Sequence, residues 1–388
     1  MSEFRRHALK TLLAETSKTL RPETGNEVWN LNLDQIESDT GHILAKQMVS
    51  ADNLGPSTYA FEAGTVLYSK LRPYLNKVVV ANDSGFATTE LVPVCCNPEK
   101  LLPQYLAYFL RSSEFLKFAN IVVAGAKMPR MVMSEFWNYK IPVPSLPDQR
   151  RIVTILDQAD ALRAKRREVL AQLDILAQSI FIELFGDHRP TTGASTALSA
   201  LVEINPKITS CERESLAEKM VTFLPMASIS DLEKRILMLE TRPYREVSKG
   251  YTPFKVGDVL LAKITPCYEN GKLAIVEDVP TEFGFGSTEF HVFRPDTAEL
   301  GLFVFHLLQL DWIAAAGAKA MKGAAGQKRV PADFFGNLSI QPPKSSQLSI
   351  FADRISVINN LKAHCRNALD ELDALFSSLQ NRAFRGEL

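Results

Sequence analysis

The sequence contains itself twice. FEAGTVLYSKLRPYLNK at residues 61–77 returns as FKVGDVLLAKITPCYENGK at 254–272, which sets Gly64 on Gly257, Lys70 on Lys263 and Pro73 on Pro266 at a constant offset of 193. Farther along, Thr89-Glu90 matches Thr288-Glu289, and Phe136 with the IPVP of 141–144 matches Phe335 with the IQPP of 340–343, now at an offset of 199. Two copies of about 194 residues account for nearly all of the 388. A chain of this kind has to build one supersecondary plan twice.

Each copy changes its period part-way. Its first part holds short apolar runs bounded by Gly, Pro, Asn and Asp: VLYSK, KVVVA and LVPVCC in copy one, VLLAKI, KLAIVE and FHVFR in copy two. These read as strands. The apolar stretches PQYLAYFLRSSEFLKFA and LGLFVFHLLQLDWIAAA follow them and read as helix, so each globular part is mixed α and β. Beyond the prolines at 142–147 and 342–343, apolar residues recur every seven. In copy one the two series are Ile152, Ala159, Arg166, Leu173, Ile180 and Ile155, Leu162, Val169, Leu176. In copy two they are Phe351, Ile358, Cys365, Leu372, Leu379 and Ile355, Lys362, Leu369, Phe376, Ala383. Alternating spacings of three and four over about five heptads predict a coiled-coil strand. Pro147 supplies a helix start and Gly186 an end.

A single apolar seam needs a partner, and the other copy provides one within the same chain. The predicted fold class is α+β: two mixed α/β globular domains separated by a pair of long antiparallel coiled-coil helices, with an internal pseudo-twofold repeat. The boundaries fall at 1–146, 147–186, 187–343 and 344–388.

Composition limits the chemistry. Lys and Arg total 44 against 44 Asp and Glu, so a polyanion partner has to be held by local patches and not by a basic body. The five cysteines contain no CxxC pair and the six histidines no metal-ligand spacing, which argues against a disulfide framework or a zinc site. No stretch is long and apolar enough for a membrane span, and the first ten residues lack a signal core, so a cytoplasmic location is expected. NGKL at 270–273 lacks the rest of a P-loop, GFG at 284–286 is no dinucleotide fingerprint, and there is no GxSxG elbow or Asn/Asp-Pro-Pro-aromatic segment. The chain is expected to bind no cofactor and to catalyse nothing alone.

Residues 145–186, SLPDQRRIVTILDQADALRAKRREVLAQLDILAQSIFIELFG, resemble the first conserved region of specificity subunits of type I restriction-modification enzymes: IPVP, a Gln shortly after, an Ile-rich helix start and a closing Phe-Gly. GDVL at 257–260, the repeated Thr-Glu pairs and the duplicated layout are similar to that family as well. The resemblance spans essentially the whole chain and implies a non-catalytic subunit. Its two target recognition domains would each read half of a bipartite, asymmetric site in double-stranded DNA, and its helices would fix the spacer. It also implies partners: two modification subunits that methylate adenine from S-adenosylmethionine, and ATP-dependent translocase-nuclease (restriction) subunits in the full complex, with ATP and Mg held there. Gln149, Ile152 and Gln347 are the expected docking residues, although the second helix start, KSSQLSIFADRI, keeps only Gln347 of the usual Pro-Leu-x-Glu-Gln form.

Two clusters are the DNA-contact candidates. GAKAMKGAAGQKR at 317–329 presents Lys319, Lys322, Lys328 and Arg329 among small residues, and AGAKMPR in copy one presents Lys127 and Arg130. Small residues let backbone amides approach phosphate while the cations neutralise it. The turn after the first matched strand carries Lys70, Arg72, Asn76 and Lys77 in copy one, and Lys263, Asn270 and Lys272 in copy two. Arg and Asn suit bidentate contact with base edges, Lys suits phosphate. Glu90 and Glu289 serve either as acceptors from cytosine or as braces of the fold. The alternative to DNA reading is a coiled-coil protein-protein scaffold with two interaction domains.

Overall fold

The computed structural model describes residues 4–14, 25–55, 57–189, 195–324 and 326–388. The chain divides into two compact units, one formed by 1–169 with 364–388, the other by 170–363. Each unit therefore owns part of both long helices.

In the first unit, one sheet runs in the order Met48–Ser50, Glu27–Leu31, Gly85–Thr88, Thr58–Phe61, its middle pair parallel. A second, antiparallel sheet places Val66–Ser69 between Val78–Val80 and Leu91–Val94. The second unit repeats the plan. Glu240–Pro243, Met220–Leu224, Phe283–Gly286 and Thr252–Lys255 form one sheet, again with a parallel middle pair. Glu203–Ile204, Phe290–Arg294, Val259–Ala262 and Leu273–Ile275 form the other. Fully buried strands such as Val66–Ser69 and Val259–Ala262 explain why the sequence shows continuous apolar runs there and not alternation. The parallel pair brings backbones close: a Cβ on Gly85 would stand 2.8 Å from both the Phe61 ring and the Trp29 carbonyl, and Gly284 meets Phe254 and Thr222 in the same way.

Each apolar stretch after the strands is two helices where the sequence suggested one. Pro103–Leu110 and Ser113–Ile121 are parted at Arg111 and Ser112, because the Ser112 hydroxyl accepts from the Phe115 amide and caps the second helix. Ala298–Leu307 and Asp311–Ala320 are parted likewise. Both pairs pack in the cores, and no single described helix is long and apolar enough to cross a membrane.

The long helices are Leu146–Phe185 and Ser345–Arg385. Forty residues at 1.5 Å each give the first a length of about 60 Å, and Gly186, at φ +79°, ends it. They pack side by side and antiparallel. In the first unit Arg163 meets Asp373, and in the second Glu183 meets Arg354 and Gln347 donates to the Leu184 carbonyl. The ends of the helices close the cores. Ile152, Leu156, Ala383 and Phe384 join Tyr105 and Phe109 in the first unit, while Ala177, Phe181, Phe351 and Ile355 join Phe303 in the second.

The seam of the second helix follows the predicted heptads: Phe351, Ile355, Ile358, Lys362 and Cys365 are all buried. The first helix departs from them. Leu162, Val169 and Leu176 are 52%, 37% and 47% exposed, and Arg166 also faces solvent, while Arg163 and Arg167 turn toward Asp373 of the partner helix. Counting heptads from Ile152 fails at mid-helix because the inward face there is charged. Leu156, Ala159, Ala177 and Phe181 are the inward apolar residues on either side.

Candidate nucleic-acid interface

Both candidate clusters of each copy meet in one module. In the first unit the chain leaves the strand Val66–Ser69, turns, and re-enters at Lys77, whose carbonyl accepts from the Ser69 amide at 3.0 Å. Two residues of that turn, Arg72 and Asn76, have φ of +50°, a left-handed conformation that costs a side-chain-bearing residue energy. The turn is held by a short hairpin, Val123–Ala124 with Arg130–Met131, in which Gly125 takes φ +94°. Arg72 donates its amide to the Pro129 carbonyl at 2.7 Å and Met131 donates to Lys70 at 2.8 Å. A fork of hydrogen bonds from Arg130 to Glu90, at 2.8 and 3.0 Å, locks the hairpin to the strand end.

The second unit builds the same joint from a different sequence. The Lys322 and Arg329 backbones pair at 3.0 and 2.9 Å to close the loop, Thr265 donates to Lys328 at 2.9 Å, and Val330 donates to Lys263 at 2.9 Å. Arg329 forks onto Glu289 at 2.8 and 2.9 Å. Hydrogen bonding to the guanidinium is the main cause that holds both the Glu90 and the Glu289 carboxyls below their ordinary pKa. Of the two readings of the Thr-Glu repeat, the brace is the geometry observed. A signal for it lay in the spacing, since Glu and Arg stand 40 residues apart in both copies.

The other candidates divide by exposure. Arg72 and Lys127 are exposed in the first unit, as is Tyr74 of the same turn, and Asn270, Lys319, Lys322 and Lys328 are exposed in the second. Neither Arg72 nor any of these lysines forms an ion pair among the described residues. Lys70 and Lys263 are half-buried beside Glu90 and Glu289, and burial is the main cause that lowers the Lys263 pKa. Three candidates are committed inside the fold. Asn76 is buried with its amide on Asp39 and the Arg111 carbonyl, and the ammonium groups of Lys77 and Lys272 donate to the carbonyls of Leu33 and Met226. Those three side chains brace the turn from within.

Of the expected docking residues, Gln149 and Ile152 are buried and Gln347 is half-buried. Gln149 is 0% exposed: it accepts from the Leu102 amide and donates to the carbonyls of Lys100 and Pro144. Ile152 is core, and Gln347 caps its own helix start by accepting from Lys344 while donating to Leu184. What the helix pair offers outward is a groove of about 560 Å³ in the first unit, lined by Leu162, Val169, Leu372 and Leu375 and rimmed by Lys165, Arg166 and Glu371. Among the described residues no group of three or more His, Cys, Asp or Glu is placed to hold a metal.

The profile of the type I restriction modification DNA specificity domain matches residues 56–172, a span that contains the turn, Glu90, the hairpin and the first part of the long helix. Over that span the chain is similar to the specificity domain of type I restriction-modification systems. It is 32% identical over 246 residues to the EcoEI specificity subunit of Escherichia coli, a match that covers 61% of this chain and 40% of that protein. To the EcoAI specificity subunit of the same organism it is 32% identical over 247 residues, covering 61% and 41%. The matched region thus spans about two fifths of the length of these two relatives. A solved chain from a study of complex assembly and conformational transition of the type I restriction-modification system shares the fold, with a TM-score of 0.54 at 18% identity, over 100% of this chain and 98% of that one.

Proposed function

We propose that this chain belongs to the specificity subunits of type I restriction-modification enzymes, that it is the non-catalytic DNA-reading component of such a complex, and that each unit reads one half of a bipartite, asymmetric site. The observation that carries the reading is the clamped turn-and-hairpin module, built twice with the same Glu–Arg brace and with unlike exposed side chains. One module offers Arg72, Tyr74 and Lys127, the other Asn270, Lys319, Lys322 and Lys328. A shared brace with different tips supports two readers of different words. Lysines without an acidic partner suit phosphate, and Arg or Asn side chains suit base edges.

In this reading the helix pair sets the gap between the half-sites, and the target recognition domains take the boundaries 1–146 and 187–343. Two methyltransferase subunits dock along the rods, for which the outward Leu162, Val169 and Leu375 supply apolar contact that Gln149 and Gln347 do not. S-adenosylmethionine, ATP and Mg belong to the modification and restriction subunits, and the complex works in the cytoplasm.

The test is methylation mapping. The chain, assembled with its modification subunits, is exposed to random-sequence duplex, and the modified adenines are located. Two adenines flanking a gap of constant length support the reading. Sequence-independent binding, or one contiguous motif, overturns it and favours a protein-protein scaffold.

A further inference from the structure

The middle of the helix pair is where apolar packing is weakest. Between Ala159 and Ala177 no apolar side chain of the first helix is fully buried, and the inward positions are Arg163, Arg167 and the half-buried Leu170 and Leu173. Non-directional apolar contact discriminates poorly between alignments, whereas charge placed at a seam discriminates well. We propose that Arg163 with Asp373, and Lys362 with Asp174, are register pins that select the antiparallel, in-step alignment of the long helices against parallel and slipped ones.

Three features of the molecule carry this inference. The two pairs are equivalent in the repeat: 199 residues separate Arg163 from Lys362, and the same number separates Asp174 from Asp373. The cations are well covered, with side chains 11% exposed in both cases, and Arg163 also lies 4.2 Å over the Phe376 ring and 2.7 Å from Asp160.

The third feature is the spacing within each helix. The acid follows the cation at an offset of eleven in both helices, Arg163 to Asp174 and Lys362 to Asp373. Antiparallel pairing therefore satisfies both acids at once. Parallel pairing in equivalent register would set Arg163 on Lys362 and Asp174 on Asp373, like charge on like charge. A slip of one heptad fails in either direction. One slip brings Arg163 to Arg366 and Lys362 to Arg167 and sets the acids on Ile355 and Leu156. The other brings Lys362 to Phe181 and sets the acids on Leu369 and Leu170. A covered cation left without its acid is costly, so each wrong alignment is penalised at both cation positions together. The inference concerns the helices themselves and stands apart from the DNA reading.

The experiment uses the full chain with Leu162→Cys and Leu375→Cys, two exposed positions that line the same groove of the first unit and are level with each other in the antiparallel alignment. A short bis-maleimide bridges the two thiols, and peptide mass mapping reads the yield. Adding Arg163→Glu and Lys362→Glu opposes acid to acid, and the 162–375 bridge is expected to fall about tenfold. Adding Asp373→Lys and Asp174→Lys as well reverses both pins, and the yield is expected to return to within about twofold of the parent, as charge complementarity is restored. A parental yield from the opposed chain, or no recovery in the reversed one, overturns the proposal. If the opposed chain does not fold, the reversed chain decides: a folded chain with parental bridging supports the pins, and a misfolded one overturns them.

Discussion

Arg329 and Lys328 are neighbours with opposite assignments. The guanidinium of Arg329 is spent on Glu289, whereas Lys328 is exposed and forms no ion pair among the described residues. Replacing Lys322 and Lys328 by Ala is therefore expected to weaken DNA binding by the assembled complex and to reduce the slope of log affinity against log salt by about 1.8, the share of two phosphate contacts. Parallel salt titrations of parent and variant measure it, and equal slopes would remove this loop from the interface. Arg329→Ala is expected to act differently. It strands the Glu289 carboxylate and loosens the hairpin, visible as faster hydrogen exchange at the Lys322 and Arg329 amides, which are paired in the parent.

The same clamps respond to acid. Glu90 and Glu289 have depressed pKa values in the folded chain, so their contribution is present above the ordinary carboxylate range and is lost as pH falls through the folded values. His306 acts earlier. Burial, with Lys362 and Lys234 nearby, pushes its pKa down to about 3. The unfolded chain takes up that proton near pH 6.5 and the folded chain does not, so stability of the second unit is expected to fall as pH drops from about 6.5 toward 3. The matching carbonyl in the first unit belongs to Tyr108, which accepts from Gln380 as His306 accepts from Gln178 and does not titrate in that range. His306→Gln should flatten the acid limb of a pH series of urea unfolding curves for the second unit. An unchanged limb would reject the assignment.

At the scale of elements, the strands, the long helices and the stop at Gly186 were legible, because burial on both faces, heptad spacing and a glycine beyond the last turn each leave a local trace. The breaks at Ser112 and near Leu310 were hidden by continuous apolar composition on either side. Mid-helix, the heptad count followed the apolar residues outward, since composition does not reveal that Arg163 and Arg167 have an acid waiting on the other rod. For the site, the sequence left Glu90 and Glu289 between base contact and brace and assigned Arg130 and Arg329 to DNA, because the pairing of each Glu with its Arg, like the burial of Asn76, Lys77, Lys272 and Gln149 against Asp39, Leu33, Met226 and Lys100, depends on tertiary neighbours. Two substitutions weigh the elements. Phe181→Ala, which empties a site ringed by Phe185, Phe303 and Phe351, is expected to cost the second unit about 3–5 kcal/mol. Gln149→Leu leaves the Leu102 amide without its acceptor and is expected to cost the first unit about 1–3 kcal/mol. Denaturant melts followed by exchange at each unit measure both, and losses under half of these values would show that the sites collapse or rehydrate freely.

For the whole molecule, the proposed ruler makes length a specificity determinant. Deleting one heptad from each long helix removes about 10 Å of rod, the rise of about three base pairs. The preferred gap between half-sites is expected to shorten by about that amount, or binding to be lost because the two readers no longer face the same side of the duplex. A binding selection over spacer lengths checks it, and an unchanged optimum would reject the ruler.

The ends of the rods impose a bookkeeping of their own on the polypeptide. Phe384, near the end of the second long helix, lies 5.0 Å from Phe109 and 5.4 Å from Tyr105, in a core that it and Ala383 share with residues 9–156. Cutting the backbone just after Arg189 should therefore leave two pieces that stay together under native conditions. A gene truncated at the same point should yield a sticky, half-capped product that is rescued when residues 195–388 are co-expressed in trans.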